Sequence, residues 1–183
     1  RETNVVHSEP SFFEIFTIPL LRGNAETALA APRTLVLSRT TAARYFGRDD
    51  PLGRTVIIDE DQAWAVTGVF EDIPRTSHFH FDIILSFSSL DLQSDPVSNS
   101  WMSFNFQTYL LFREGASPRP LADNLDALVA SHMATEVEET MGISVDEFLA
   151  RAEMRIENVL QPLLDIHLRG GQGIAEFEAN SDI

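Results

Sequence analysis

Two histidines and an aspartate occupy alternate positions in one short stretch of the chain: His78, His80 and Asp82. Alternate residues of a β-strand point to the same side, so a strand here would bring two imidazoles and one carboxylate together. Imidazole nitrogen and carboxylate oxygen are common zinc ligands, and a catalytic zinc needs three such ligands and an open position. The spacing therefore makes a zinc-dependent hydrolase one hypothesis for this chain.

The residues around these three favour a simpler interpretation. From His78 to Phe87 the sequence alternates, which places five apolar side chains on one face: Phe79, Phe81, Ile83, Leu85 and Phe87. His78 and His80 would then lie on the solvent side of an amphipathic strand. The stretch resembles the start of the His-x-His-x-Asp-His motif of metallo-β-lactamase-type hydrolases, but Ile83 replaces the last histidine and that motif lies in a loop. We therefore expect no metal and no cofactor, with the zinc site as the alternative.

Other kinds of catalysis lack the residues that they need. The chain has no cysteine, five histidines and no Gly-x-Ser-x-Gly motif of a serine hydrolase. Residues 170–173 lack the Lys-Ser/Thr pair of a phosphate-binding loop and are interpreted as a hinge. His132 lies among apolar residues at helical spacing and is expected in the core. The acidic run Glu136–Glu139 is interpreted as a solvated helix face, with a cation-binding patch as the alternative. We therefore predict that the chain is not an enzyme.

Composition excludes several kinds of partner. The chain of 183 residues has 28 acidic and 13 basic residues, a formal net charge of −15, and every basic residue is arginine. So acidic a surface is unsuited to nucleic acid and to anionic lipid. No apolar run reaches the roughly 18 residues needed to cross a bilayer. The chain begins at Arg1 without a signal peptide, so we expect a fragment of a longer protein.

The first half, to about Ser98, is rich in short strands and turns. We expect a helix after Ser11, with Glu14 completing a capping box, and a helix Ala25–Ala30 between Asn24 and Pro32. A buried strand Thr34–Ser38 should follow, and then a helix Arg39–Phe46 between Ser38 and Gly47. The last expected elements are a hairpin of Thr55–Asp59 with Trp64–Phe70 and the strand His78–Phe87. The aromatic residues expected in the core are Phe12, Phe13, Phe16, Trp64, Phe70 and Trp101.

After a polar linker, Asp91–Ser100, the pattern changes to strand, helix and strand. We expect a strand Asn105–Arg113, a helix with Pro118 at its first position that ends at Gly142, a short helix capped by Ser144, a strand Arg155–Leu168 bulged at Pro162, and an extended segment Ile174–Ile183. One side of the long helix is apolar, with Leu121, Leu125, Leu128, Val129, His132 and Val137. The fold class is therefore α+β, with small mixed sheets and short helices followed by a β-α-β unit.

Several short motifs follow one another in a fixed order over the first 87 residues. They are Phe12-Phe13-Glu14-Ile15-Phe16, Pro19-Leu20-Leu21-Arg22-Gly23-Asn24, Tyr45-Phe46-Gly47, Asp50-Pro51-Leu52-Gly53-Arg54-Thr55, Val66-Thr67-Gly68-Val69-Phe70-Glu71-Asp72-Ile73-Pro74 and Ser77-His78-Phe79-His80-Phe81-Asp82. In this order they resemble the extracytoplasmic core domain of MacB/FtsX-type ABC transporter permeases.

The resemblance implies a division of the chain. In that family two β-α-β units form a porter part, and a mixed α/β Sabre part is inserted between them. By this resemblance residues 1–98 are Sabre-like, residues 99–169 form a porter-like β-α-β unit, and residues 170–183 approach a membrane helix. The first β-α-β unit would lie upstream of Arg1.

The resemblance also implies a mechanical role at the periplasmic face of the bacterial inner membrane. The domain would couple cytoplasmic ATP-driven motion to the handling of a substrate or partner outside the membrane, without catalysis of its own. The implied partners are a cytoplasmic ABC ATPase acting through the membrane helices, a second permease copy, and a periplasmic adaptor or substrate protein. Two alternatives stay open: the zinc hydrolase and a stand-alone secreted binding module.

Overall fold

The computed structural model describes residues 4–58, 61–91, 100–103, 105–153, 156 and 158–168. The described residues up to Asp91 form one compact unit, and those from Ser100 to Leu168 form a second. We call them the first and second units. None of the helices in these ranges is both long and apolar enough to cross a membrane.

The first unit is built on a six-stranded mixed sheet. Its strands are β1 (Val5–Ser8), β2 (Leu20–Arg22), β3 (Thr34–Ser38), β4 (Thr55–Ile58), β5 (Gln62–Phe70) and β6 (Ile83–Ser86). They are ordered β1-β6-β3-β5-β2, and β4 also pairs with β5. The pairs β1–β6 and β3–β5 are parallel, and the other pairs are antiparallel. The predicted hairpin is β4 with β5.

The described residues also form helices in both units, and the longest, of 23 residues, lies in the second unit. They are α1 (Phe12–Ile15), α2 (Arg39–Phe46), α3 (Arg119–Met141), α4 (Val145–Ala152) and α5 (Asp165–Leu168), with one 3-10 turn at Phe87–Ser89. The prediction for α2 is confirmed: the Ser38 hydroxyl accepts from the Thr41 amide at 3.2 Å, and Gly47 has a φ of +63°. The α+β fold class with a mixed sheet and short helices is also confirmed.

The hydrophobic core lies around the two central strands. All five residues of β3 and all four of β6 are buried. Leu35, Leu37 and Ile84 have almost no exposed surface, and each contributes roughly 1.5–3 kcal/mol through burial. Trp64 packs in the same cluster. A nearly continuous apolar sequence is thus explained by strands that are covered on both faces.

One predicted helix of the first unit is wrong, and so is the predicted capping of another helix. Ala25–Ala30 forms successive turns and no helix, and the Asn24 side chain accepts from the Glu26 amide at 2.8 Å. The Ala28 carbonyl accepts a hydrogen bond from the Thr67 hydroxyl at 2.5 Å, so a contact with β5 replaces a helical one. Helix α1 does begin after Ser11, but the serine hydroxyl makes no capping bond.

The predicted strand His78–Phe87 is also wrong in its first half. Only Ile83–Ser86 is a strand, which pairs with β1 and β3 along its two edges. All four of its residues are buried, so side chains on both faces are covered. Residues 78–82 have no regular secondary structure. The apolar residues that alternate here therefore do not share one amphipathic strand. Those before Ile83 lie in a loop and pack from there into the core.

The second unit differs more from its prediction. Helix α3 ends before Gly142 as predicted, with a φ of +66° at that glycine, and the Ser144 hydroxyl caps α4 by accepting from the Glu147 amide at 3.2 Å. Neither predicted strand is present among the described residues of 105–113 and 156–168, and α5 occupies the end of the second. The predictions for residues 92–99 and 170–183 lie outside the described residues.

The apolar side predicted for α3 is only partly buried. In the part of the second unit that the structure describes, only Met133 and Val137 are buried hydrophobic residues, and Leu128 is 48% exposed. After α4 the chain returns to this helix, where the amide N–H and the side-chain amide of Asn158 both donate to one oxygen of Asp126, at 2.9 and 3.0 Å. This unit therefore has a small core.

Candidate functional site

The three residues of the possible zinc site lie in the loop before β6, and other contacts hold them. One Asp82 carboxylate oxygen accepts from the Asn4 side-chain amide at 3.1 Å, and the Asp82 amide donates to the Asn4 carbonyl at 2.9 Å. His80 Nε2 lies 3.4 Å from the Arg75 carbonyl oxygen. Among the described residues, no three His, Asp or Glu side chains are grouped as metal ligands. The structure does not bring the sequence-predicted trio together.

An aromatic cluster explains why this loop has its conformation. The Phe79 ring is 3% exposed and packs edge-on against Phe16, with ring centroids 4.7 Å apart. The ring centroids of Phe12 and His78 lie 5.7 Å and 3.8 Å, respectively, from the ring centroid of Phe79. The predicted burial of Phe12 and Phe16 is confirmed, whereas Phe13 is only partly buried. His78 is thus placed by packing against Phe16 and Phe79.

A polar network that the sequence analysis missed joins the end of β5 to the start of α2. The Asp72 carboxylate accepts from the Thr40 amide at 2.9 Å and from the Thr40 hydroxyl at 2.8 Å. Arg39 pairs with Asp72 at 3.3 Å and with Glu71 at 2.9 Å. The sequence feature that could have indicated this network is the acidic pair Glu71-Asp72 directly after β5.

The charge of Asp72 is favoured by these contacts. Partial burial raises the pKa of its carboxyl group, but the two hydrogen bonds from Thr40 and the Arg39 guanidinium together outweigh burial and lower the pKa. The Asp72 carboxylate thus caps α2 from outside the helix. It accepts a hydrogen bond from the Thr40 amide, which lies in the first turn and has no carbonyl partner within the helix.

A surface cavity of about 220 Å³ opens beside this network, between the end of β2, helix α2 and the loop that follows it. Arg22, Arg39 and Arg48 lie around it, together with Asp49. Its apolar part includes Ala42 and Val69, which are both buried. Spacing in the sequence does not indicate this cavity, because its arginines come from three separate segments.

In the second unit, Trp101 and His132 stack on each other. Their rings are 4.2 Å apart and nearly parallel, with an angle of 6° between the planes. Both residues were predicted in the core, and both predictions are wrong: Trp101 is 44% exposed, and His132 is exposed on α3. The Trp101 amide also donates to the Glu136 carboxylate at 2.7 Å. This glutamate belongs to the acidic run that was interpreted as a solvated helix face, with a cation-binding patch as the alternative.

Comparison with protein families identifies the chain. The family model described as the MacB-like periplasmic core domain matches residues 1–128 of the 183. The chain belongs to this family. The matched range includes every strand of the sheet, the aromatic cluster and the arginine-lined cavity. The family match of this MacB-like periplasmic core domain therefore covers the whole described first unit and the beginning of the second.

Solved structures give two similar chains. A domain assigned to a permease protein from Porphyromonas gingivalis is 28% identical, with a TM-score of 0.55, over 72% of this chain and 60% of that one. The periplasmic region of MacB from Actinobacillus actinomycetemcomitans is 13% identical, with a TM-score of 0.41, over 81% of this chain and 64% of that one. This MacB-like domain thus spans less than two thirds of either relative. No curated protein matches it.

Proposed function

We propose that the chain is a non-catalytic, extracytoplasmic domain of an ABC transporter permease. In this proposal a cytoplasmic ATPase drives the membrane helices of the permease, and the domain carries that motion to a substrate or partner outside the inner membrane. The observation that carries the proposal is the family match over residues 1–128, which contain the whole six-stranded sheet.

Stiffness of the first unit supports a mechanical role. The central strands β3 and β6 are buried along their whole length. Contacts between residues far apart in sequence join the loops to the sheet, such as Asn4 with Asp82 and Thr40 with Asp72. A close-packed body with loops tied in this way transmits force, because its parts cannot shift without breaking these contacts.

We assign residues 1–98 to a Sabre-like part, 99–169 to a porter-like unit and 170–183 to the approach to a membrane helix. The surface of the second unit supports the porter assignment. Of the fifteen large hydrophobic residues exposed in the described part of the chain, ten lie from Trp101 to Leu164. So much exposed apolar surface needs a covering partner. In this proposal another β-α-β unit of the same permease covers it, and residues 105–113 then pair as a strand.

The sequence of the full gene provides the first test. We expect hydrophobic stretches of about 20 residues on both sides of this segment and a neighbouring ATPase gene. Absence of both would instead favour a stand-alone secreted binding module.

Cysteine labelling in intact cells tests the location. Because the chain has no cysteine, a single introduced cysteine is the only labelling position in it. In the full-length permease, with any native cysteines outside this segment removed, we expect a membrane-impermeant maleimide to label the exposed Glu26→Cys in intact cells. The buried Leu35→Cys should react only after denaturation. Labelling of Glu26→Cys only after cell lysis would contradict the proposal.

The coupling role has its own test. A spin label at Glu26→Cys in each copy of the reconstituted permease should report a distance that differs between the ATP-bound and nucleotide-free states. Identical distance distributions in the two states would show that the domain does not follow the ATPase.

A further inference from the structure

Helix α4 of the second unit is amphipathic, yet none of its residues is buried. It packs against α3, and its apolar residues Val145, Phe148 and Leu149 recur at the spacing of one helix face. All three keep part of their surface exposed, and Met141, at the end of α3, is 49% exposed. We call these four residues the apolar strip. The contact between the two helices covers the strip only in part.

The same end of the helix pair is strongly acidic. From Glu136 to Glu153 the sequence has six carboxylates and one arginine. That arginine, Arg151, pairs with Glu147 and so neutralises one carboxylate. Four other carboxylates form no hydrogen bond or ion pair with any residue that the structure describes. These four are Glu138, Glu139, Asp146 and Glu153. A positively charged partner therefore meets no competing cation among the described residues here.

Three of these four carboxylates lie where the helices disfavour them. Glu138 and Glu139 are in the last turn of α3, which has no basic residue. The C-terminal end of a helix carries a partial negative charge, so both carboxylates cost stability there. Glu153 ends α4 with a φ of +53°, a conformation that side chains of this kind rarely adopt. Natural proteins keep such locally unfavourable residues mainly at functional sites.

The chemistry of this surface selects the kind of partner. Among the residues that the structure describes, no three metal-ligating side chains are grouped, so the carboxylates suit several separate cationic side chains and not one ion. The apolar strip in turn requires apolar side chains on the ligand, and the flexible side chain of Met141 adapts to them. Apolar and basic residues on opposite sides of one element are the pattern of a basic amphipathic helix, which binds with its apolar face against an apolar surface.

We propose that the end of α3 and helix α4 form a docking surface for a basic amphipathic helix of a polypeptide partner. The apolar strip contacts the apolar face of the ligand, and the four open carboxylates pair with its lysine or arginine side chains. Met141 and α4 follow residues 1–128, the range that the family model matches, so that match does not account for this surface. The inference rests on the proposed function, because it names the chemistry of the partner that the domain handles.

The test is a nuclear magnetic resonance titration of the ¹⁵N-labelled chain with the peptide Ac-(Leu-Lys-Lys-Leu-Leu-Lys-Leu)₂-NH₂. We expect saturable shifts of the Phe148 and Leu149 amide signals, while the amide signal of Val36 in the buried strand β3 stays unchanged. A peptide with glutamate at every lysine position, or with serine at every leucine position, should bind at least about tenfold more weakly, because each offers only one of the two interactions.

Paired variants test the charges. Glu138→Gln combined with Glu139→Gln should weaken binding of the lysine peptide about fivefold, since two exposed ion pairs are lost. Glu14→Gln combined with Glu26→Gln removes the same charge from exposed positions of the first unit and should leave binding unchanged. Equal weakening in the two double variants would show that only the total charge acts, and it would overturn the inference.

A second pair of variants tests the apolar strip. Met141→Gln should weaken binding about fivefold, whereas Leu128→Gln should leave it unchanged. Leu128 is 48% exposed on the same helix, but at about 100° per residue it lies on a different side of α3 from Met141. Equal effects of these two substitutions, or equal binding of the three peptides, would contradict the proposal.

The chain is also titrated against itself. Shifts of the Phe148 and Leu149 amide signals that appear on concentrating the chain without peptide would identify a second copy as the occupant, and would overturn the inference. Labelling and spin-label distances test the proposed function separately, so the two can fail independently.

Discussion

The backbone of Gly23 lies directly against the carbonyl oxygen of Thr67. A Cβ atom at position 23 would stand 2.3 Å from that oxygen, which is closer than any real contact of this kind. Gly23 follows β2, and Thr67 lies in β5 where the pairing of β3 with β5 shifts register. The φ of Gly23 is +91°, so an L side chain would also strain the backbone. Glycine is therefore needed here for β2 to approach β5.

Replacing this glycine with alanine should destabilise the first unit strongly. We expect Gly23→Ala to lower the free energy of unfolding by more than about 3 kcal/mol, because backbone strain of about 1–3 kcal/mol adds to the steric overlap. The midpoint of urea denaturation, followed by circular dichroism, measures this loss. A variant that fails to fold would agree with the expectation.

Gly53→Ala is the matched control. Gly53 also has a positive φ, of +73°, but no heavy atom lies within 4 Å of a Cβ at that position. Its substitution should cost only the strain, on the order of 1 kcal/mol. Similar losses for the two variants would show that the Thr67 carbonyl imposes no constraint.

The Asp72 carboxylate should make stability depend on pH. Its contacts with Thr40 and Arg39 hold the folded-state pKa below the ordinary value. The stabilisation is therefore fully present above the unfolded pKa, near 3.9, and is lost as the pH falls through the folded-state pKa. We expect Asp72→Asn to lower the unfolding free energy by about 1 kcal/mol at pH 7. The difference from wild type should shrink below about pH 4.

Asp49→Asn provides the comparison for this pH profile. It removes one exposed carboxylate near the same helix, but the Asp49 carboxylate accepts no hydrogen bond from α2 among the residues that the structure describes. Urea midpoints between pH 3 and pH 7 should follow wild type for Asp49→Asn. If the two variants gave the same profile, the pH dependence would reflect total charge and not the cap at Thr40.

Zinc should not stabilise the chain. Asp82 is held by Asn4, and the described residues contain no group of three metal-ligating side chains. A ligand at about 100 times its dissociation constant would add about 2.7 kcal/mol of stability. We expect instead an unchanged melting temperature after addition of zinc or of a chelator. A rise with zinc that disappears in His80→Ala would restore the hydrolase alternative.

The elements that local sequence determines were the ones that could be predicted. Helix α2 has its own cap at Ser38 and its own end at Gly47, and the β4–β5 hairpin needs only two adjacent apolar strands. Residues 105–113 also have a strand-like sequence, yet no strand forms among them in the structure. A strand needs a neighbour, and the neighbour is not specified by the residues of the segment itself.

The candidate sites show the same limit. The alternation around His78 predicted one strand face, but Phe79 is buried against Phe12 and Phe16, which come from more than 60 positions earlier. The arginine-lined cavity depends on Arg22, Arg39 and Arg48 meeting through the fold. Spacing in sequence identifies residues that one element brings together, and it does not identify those that the tertiary structure assembles.

The contact of Trp101 with helix α3 should be visible in tryptophan fluorescence. The chain has two tryptophans, and Trp64 is buried at 4% exposure, so the emission accessible to a quencher comes from Trp101. The stacked ring of His132 covers one face of its indole. We expect His132→Ala to increase acrylamide quenching of the accessible tryptophan up to about twofold and to lose about 0.5–1.5 kcal/mol of pairing energy.

Hydrogen exchange at the Trp101 amide should depend on Glu136 and not on the other glutamates of α3. The Trp101 amide donates to the Glu136 carboxylate, so Glu136→Ala should speed hydrogen exchange at that amide, while Glu136→Gln keeps an acceptor oxygen and most of the protection. Glu138→Ala removes an exposed charge from the same helix and serves as the control. Unchanged exchange in Glu136→Ala, or equal acceleration in Glu138→Ala, would show that α3 does not hold the chain at Trp101.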